Sequence, residues 1–470
     1  MSKILVVLSC SVVILIIITV VSLIMGKKTK GSEDWEVAGR SLPVYVIVGT
    51  NFATAAGGSV LVAQVGLGYR LGWSSLTYSL ILAIGLLCLL FIAKWLREKN
   101  FRTLPDVISN LYGNHKSLTT LTAVMCMIVP FGWVASQLQA FGKLFSSIMG
   151  IPSFWLAAIF ALFCLILVLP SGLTSVAWTD FIFGCFMFLC MVFSVIYIIY
   201  MADGVHTIAN NLPHKISSFP EGMGAAGLGM TALWFLSVVP GTVTNQMYFQ
   251  RIYAAKNIDI LKTGLIITAI VFILKGVWTS VMGMAIRSMN PNLKGELAMG
   301  WFLTHTPTWV LGIFSALIIS LLMATASSGV QSVALNVTRD IYKNHSTKET
   351  SDKKMLSLSR YTSIAVLIFA LITAYAFPSV LDIVVASFAY STGGLLVPIF
   401  LGFALKETNI LTWQGAFGSI ITGVVCTAVA HQLGTVIPYV VYGIIGSLIA
   451  IFIVSFITKG KNVSNSDTVL

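Results

Sequence analysis

Charged side chains are scarce in this sequence: they make up 9% of it, against 57% hydrophobic residues. A soluble domain carries about a quarter, so a chain of 470 residues with this composition cannot clothe a water-facing surface. Cysteine supplies no framework either. Cys10, Cys88, Cys126, Cys164, Cys185, Cys190 and Cys426 lie inside apolar runs without metal-ligand spacing, and read as small core hydrophobes. The six histidines are scattered, with no H-E-x-x-H pair, and there is no G-x-S-x-G turn. GMGAAG at 222–227 has the letters of a dinucleotide fingerprint but opens an apolar helix and follows no strand. The sequons at Asn336 and Asn344 fall where no glycan is added, at the inner end of a span and in an inside loop. An enzyme is therefore not expected, nor is any cofactor or catalytic residue. The net charge of +12 would suggest nucleic acid in a soluble protein. Here it reflects loop lysines and arginines that set membrane topology, and no nucleic-acid partner is expected.

What the chain does have is long apolar runs without alternation, which in lipid selects helices over a barrel. The fold class expected is an all-α polytopic membrane protein. Residues 4–25 form a first span: the run is long, its basic cluster (Lys27, Lys28, Lys30) follows it, and no cleavage site is evident. Further spans lie near 43–69, 73–95, 118–147, 153–170, 175–201, 224–248, 258–285, 309–338, 360–377, 379–404, 410–430 and 436–458. That makes about thirteen helices, each near the ~20 residues a bilayer needs. Basic residues test the topology. Lys27 to Arg40, Lys94 to Arg102, Arg251 to Lys262, Arg339 to Arg360, Lys406, Lys459 and Lys461 fall in loops on one side. The other side holds Arg70, Lys215, Arg287, Lys294 and little else. The expected orientation is N-terminus outside and C-terminus cytoplasmic, in the plasma membrane.

Two spans carry helix breakers. Gly57-Gly58-Ser59 sits mid-span in FATAAGGSVLVAQVGLGYRLGW. Paired glycines either let the helix unwind, each costing about 1 kcal/mol against alanine, or let a neighbour pack closely. Pro240-Gly241 interrupts the span five helices later, where proline removes a donor and clashes with the preceding turn. Interrupted helices at matching positions of two halves point to an inverted repeat with a midplane binding site.

Six segments then carry a resemblance. They are DWEVAGRSLP (34–43), TLPDVISNLYG (103–113), SGLTSVAWTDFIFG (171–184), QRIYAAKN (250–257), ASSGVQSVALNVTRDIY (326–342) and STGGLLVP (391–398). In this order and at these depths the chain resembles the sodium/solute symporter family, a branch of the broken-helix transporters. The resemblance implies a single transmembrane domain over 1–470. Its 5+5 inverted-repeat core would run over residues 43–405, with one helix before it (4–25) and two after (410–458). It also implies sodium-coupled uptake of a small polar solute by alternating access. Sugars, amino acids, vitamins, urea, choline-like compounds, sialic acid and carboxylates all occur as solutes in the family.

Sodium is a hard cation and takes oxygen ligands. The family's shared sodium site maps by resemblance onto Ala53 and Ala56, then Leu321, Ala324 and Thr325. Backbone carbonyls serve there, so Ala and Leu suffice. Ala324 departs from the usual Ser and leaves Thr325 as the one expected hydroxyl. A second site, found in some members, maps onto Asp180, Ser327 and Ser328. An acid inside a span is a functional candidate by default; the alternatives are a helix cap for Asp180 and small-residue packing for the serines. Each charge moved down 100 mV gains roughly 2.3 kcal/mol, so a second ion would double the drive.

The solute site is expected where the broken helices meet the third and tenth core helices. Its candidates are Gly57, Gly58, Ser59, Gln64, Trp133, Gln137, Asn245 and Tyr390. Amides and hydroxyls beside an aromatic suit a polar solute in an apolar cavity. Lys275 is a second charge deep in a span, either facing that cavity or snorkelling to an interface. With Asp180 as the one acid in view, a neutral, zwitterionic or anionic solute is favoured over a cation. The expected partners are thus solute, sodium and the lipid bilayer. Proton coupling, motivated by Ala324, is the alternative within the fold; a membrane enzyme or channel is the alternative outside it.

Overall fold

The computed structural model describes residues 3–26, 36–55, 57–168, 173–346, 352–377, 379–408 and 410–466. Helices dominate these residues, and the one β-type pairing among them is an isolated bridge between Leu42 and Ala255. The main helices are α1 (Lys3–Gly26), α2 (Val44–Ala55), α3 (Gly58–Leu71), α4 (Ser74–Cys88), α5 (Leu90–Glu98), α6 (Leu104–Tyr112), α7 (Lys116–Met149), α8 (Ser153–Val168) and α9 (Leu173–Met201). Then follow α10 (Gly227–Val243), α11 (Gln246–Ala254), α12 (Ile258–Met289), α13 (Ala298–Thr304), α14 (Thr308–Leu335), α15 (Asp352–Ala376), α16 (Val380–Ala404), α17 (Trp413–Leu433) and α18 (Tyr439–Ser466).

Among the described residues, nine helices are long and apolar enough to cross a bilayer, counting α4–α5 as one; the pair α10–α11, bent by 40°, makes a tenth. Leu5–Val21, Val44–Ala55 and Ser153–Leu165 are apolar but shorter. The outer faces carry exposed large apolar side chains, among them Phe91, Leu228 and Phe456, each more than four-fifths exposed. Such surface would be a liability in water and is ordinary against lipid. The fold is that of a polytopic helical membrane protein.

α14 is the hub, buried along nearly its whole length inside the protein. It packs on α1, α7, α9 and α2, while α12 packs on α3 and α4, and α16 on α7 and α10. α17 and α18 pair with each other and lie against α16. The first break separates α2 from α3 at Gly57; Ala56 lies outside the described residues. The second lies at Thr244-Asn245, one turn beyond Pro240-Gly241, which stay inside α10. Proline removes one N–H that the helix tolerates losing. Asn245 does more, because its Oδ1 accepts from Met247 N at 2.9 Å and restarts the chain as α11. Gly241 instead admits α16: a Cβ there would stand 2.6 Å from the Phe388 ring.

The two broken helices are tied where α2 begins and α11 ends. Leu42 N donates to Ala254 O (3.0 Å) and Lys256 N to Leu42 O (3.2 Å). Two ionic clusters lie toward opposite ends of α7. Beyond its start, Glu36 pairs with Arg102 (2.8 Å) and Arg339 (2.9 Å), and Arg339 with Asp106 (3.2 Å). Near its other end, Lys143 pairs with Glu296, whose Oε1 also accepts from Val380 N at 2.8 Å.

Candidate functional site

α2 ends at a break, so its last carbonyls have no next turn to pair with. Ala53 O accepts instead from the Thr325 hydroxyl of α14 at 3.2 Å, and the same hydroxyl lies 3.0 Å from Leu321 O. Three oxygens from two helices thus converge at full burial. Gly57 is required by this approach: a Cβ on it would come 2.3 Å from Thr325 Oγ1. Both readings of the paired glycines therefore hold at once, a break and a close contact. Ala324 is buried beside the cluster and brings no side-chain oxygen.

One turn away lies a second cluster. Asp180 Oδ2 accepts from Thr50 Oγ1 (2.8 Å) and Thr54 Oγ1 (3.2 Å), both on α2. It also pairs with Arg251 Nη2 at 3.3 Å, acid and base being buried together. Arg251 further donates from Nε to Thr50 Oγ1 (3.1 Å), from Nη1 to Met247 O (2.8 Å), and from Nη2 to Thr54 Oγ1 and Ser328 Oγ (3.4 Å). Of the expected trio, Asp180 and Ser328 meet through this guanidinium. Ser327 does not join them; its hydroxyl donates to Ala324 O of its own helix at 2.9 Å. The expected span ends near 248 and leaves Arg251 in the following loop, whereas the structure buries it inside α11. Its setting in YFQRIYA, among aromatic and apolar residues with no breaker, was the signal that it continues a buried helix.

Above these clusters a cavity of about 20 Å³ is lined by Thr54 and Ala55 at the break, by Gln64, Trp133 and Gln137, and by Tyr78, Leu82, Val384 and Phe388. That is room for about one water molecule. Among the described residues, Gln64, Trp133 and Gln137 are the expected solute residues that reach it. Gln64 Nε2 and Trp133 Nε1 are buried donors with no hydrogen-bond partner. Trp133 is held edge-on by Tyr248 and Phe388, at 6.1 and 5.9 Å between centroids. Asn245 serves α11 as its cap, and Tyr390 faces away, its hydroxyl 3.1 Å from His431 Nδ1 on α17. Gly58 and Ser59 open α3. Lys275 neither lines the cavity nor snorkels: it is buried on α12, with Nζ unpaired and 4.9 Å from the centroid of the Phe272 ring.

The profile of the sodium:solute symporter family matches residues 35–423, most of the chain. The chain belongs to the sodium:solute symporter family. It is 23% identical to a sodium/glucose cotransporter of Vibrio parahaemolyticus, over 93% of this chain and 86% of that one. It is 25% identical to a high-affinity proline transporter of Bacillus subtilis, over 94% and 96%. A solved structure of a Na⁺-coupled sialic acid symporter, in a substrate-bound outward-open state, superposes with a TM-score of 0.81 at 20% identity, covering 96% of this chain and 98% of that one. Membership makes this a sodium-coupled solute transporter, and points away from a membrane enzyme.

Proposed function

We propose that the chain imports a small polar solute together with sodium, by alternating access around the Gly57 and Asn245 breaks. The observation that carries this is the Thr325 bridge between the Ala53 and Leu321 carbonyls, two residues from Ala55 in the cavity wall. Sodium at Ala53, Leu321 and Thr325, with Ala56 beside them, would pin α2 to α14 and so shape the wall that meets the solute. Of the second expected site, Asp180 and Ser328 are held by the Arg251 guanidinium, and Ser327 bonds within its own helix. Thirteen spans, a 5+5 core over 43–405 and an N-outside orientation in the plasma membrane complete the reading. The two breaks, five helices apart, and the basic loops on one side support it.

Among the described residues no charged side chain lines the cavity, and its unpaired N–H groups seek acceptors. The solute is therefore rich in hydroxyl, carbonyl or carboxylate oxygen and neutral, zwitterionic or anionic, with an apolar face for Tyr78, Trp133 and Phe388. Sugars and amino acids both meet that description, as do the glucose, proline and sialic acid named for the three relatives above. The test is uptake of radiolabelled sugars, amino acids and carboxylates into proteoliposomes under an inward sodium gradient. Accumulation of one class with sodium, and none with potassium at the same voltage, is expected. Accumulation that follows a pH gradient and ignores sodium would overturn the reading.

A further inference from the structure

We infer that Gln137 couples the ion cluster to the solute cavity: its amide gives the oxygen to sodium and the NH2 to the solute, so that filling one site strengthens the other. This rests on the reading that sodium binds at Thr325.

Gly57 measures how near the two sites come. It stands just before α3, and a Cβ on it would lie 2.3 Å from Thr325 Oγ1 and 3.0 Å from Gln137 Oε1. The two oxygens come from different helices, α14 and α7, and flank one face of the glycine. With hydrogen in place of a side chain, that face stays clear between them. Thr325 already bridges the Ala53 and Leu321 carbonyls. Gln137 brings a further neutral oxygen from a third helix, the kind of ligand a hard cation gathers.

The same side chain belongs to the cavity wall. Gln137 lines it together with Trp133, one turn earlier on α7, and Gln64 on α3. It is buried, and α7 packs against both α14 and α3. One amide therefore meets the ion cluster and the cavity. Its two ends are chemically distinct, an acceptor oxygen and a donor nitrogen. Nε2 donates to Ser136 Oγ at 3.3 Å, a long bond that a solute acceptor can replace. Sodium on Oε1 would draw electron density from the amide and make its N–H the stronger donor, because linked groups in a low-dielectric interior polarise one another. A solute acceptor on Nε2 would in turn make Oε1 the better ligand, the reciprocity that linkage requires.

The experiment uses full-length protein purified in detergent. Thermal unfolding against rising NaCl, with KCl holding the ionic strength, gives the sodium needed for half of the stabilisation. Equilibrium dialysis of radiolabelled glucose, proline and sialic acid, each in NaCl and in KCl, gives the ratio of solute affinities in the two salts. Wild type is expected to bind one of them about tenfold tighter in sodium. Q137L loses both ends of the amide, so it should need about tenfold more sodium and bind the solute equally in both salts. Q137E keeps an oxygen for the ion and loses the NH2. Its sodium requirement should stay at or below that of wild type, while the ratio between salts falls to parity. A wild-type sodium requirement in Q137L, or solute binding that Q137L weakens equally in both salts, would overturn the inference and leave Gln137 a solute contact or a packing group. If none of the three solutes binds, the sodium requirements decide by the same comparison. If Q137L does not fold, Q137E decides: sodium kept with the salt ratio lost supports the inference, and a tenfold greater sodium requirement overturns it. A wild type that melts alike in the two salts would instead remove sodium from the Thr325 cluster, and the inference with it.

Discussion

The two oxygen clusters between α2 and α14 lie one helical turn apart and solve opposite problems. Around Thr325 every oxygen is neutral: a hydroxyl and two carbonyls, one of them left without an intrahelical partner by the break after Ala55. Around Asp180 the protein has buried a full negative charge and supplied a guanidinium to match it. A neutral cluster costs little when empty, so it can fill and empty from solution in each cycle. A buried carboxylate cannot stand alone, because an uncompensated charge away from water costs several kcal/mol. We therefore propose reversible ligation for the neutral cluster and permanent bracing for the charged one.

The largest effect should come from unpairing the charges. Asp180→Ala or Arg251→Ala alone leaves its partner buried and is expected to destabilise the protein by about 3–5 kcal/mol in potassium salts. Chemical unfolding in detergent reads this, and the D180N/R251Q double variant should lose much less than the two single losses added together. Gly57→Ala comes next. Its Cβ would press on Thr325 Oγ1, and overpacking of this kind costs about 1–3 kcal/mol; sodium activation of uptake should weaken with it, as the hydroxyl is pushed off the carbonyls. Thr325→Ala removes the hydroxyl without strain. The sodium concentration for half-maximal uptake should rise about tenfold, the worth of one interaction of about 1.5 kcal/mol, while Thr325→Ser restores most of it. Smallest is Tyr390→Phe, which loses only the contact with His431 and should leave half-saturation for solute within about twofold, near the ~0.5 kcal/mol floor of a hydrogen bond. A large loss there would return Tyr390 to the cavity wall.

Much of this contrast was legible in the residues. Apolar runs give the helices, the paired glycines give the first break, and the motif around 326–342 places Thr325 at the right depth. What escaped was set by side-chain direction. Pro240 was the strongest breaker in its span, yet the chain turns at Asn245, whose side chain competes with the backbone for the Met247 N–H. α16 is apolar nearly all round, so no periodicity says which face Tyr390 takes. Arg251 lies past the expected end of its span near 248, where it reads as one more loop cation. Its partner stands 71 residues earlier on α9, and only the packed structure brings the two together.

We propose that sodium binds between α2 and α14 at Thr325. Thermal unfolding of the purified full-length protein in NaCl against KCl at equal ionic strength tests it most directly. Binding to the folded state adds about 2.7 kcal/mol at a hundredfold excess over Kd. Wild type should therefore melt at a clearly higher temperature in sodium, and Thr325→Ala should lose most of that difference. Equal midpoints in the two salts for wild type, or a sodium shift that Thr325→Ala leaves intact, would contradict it.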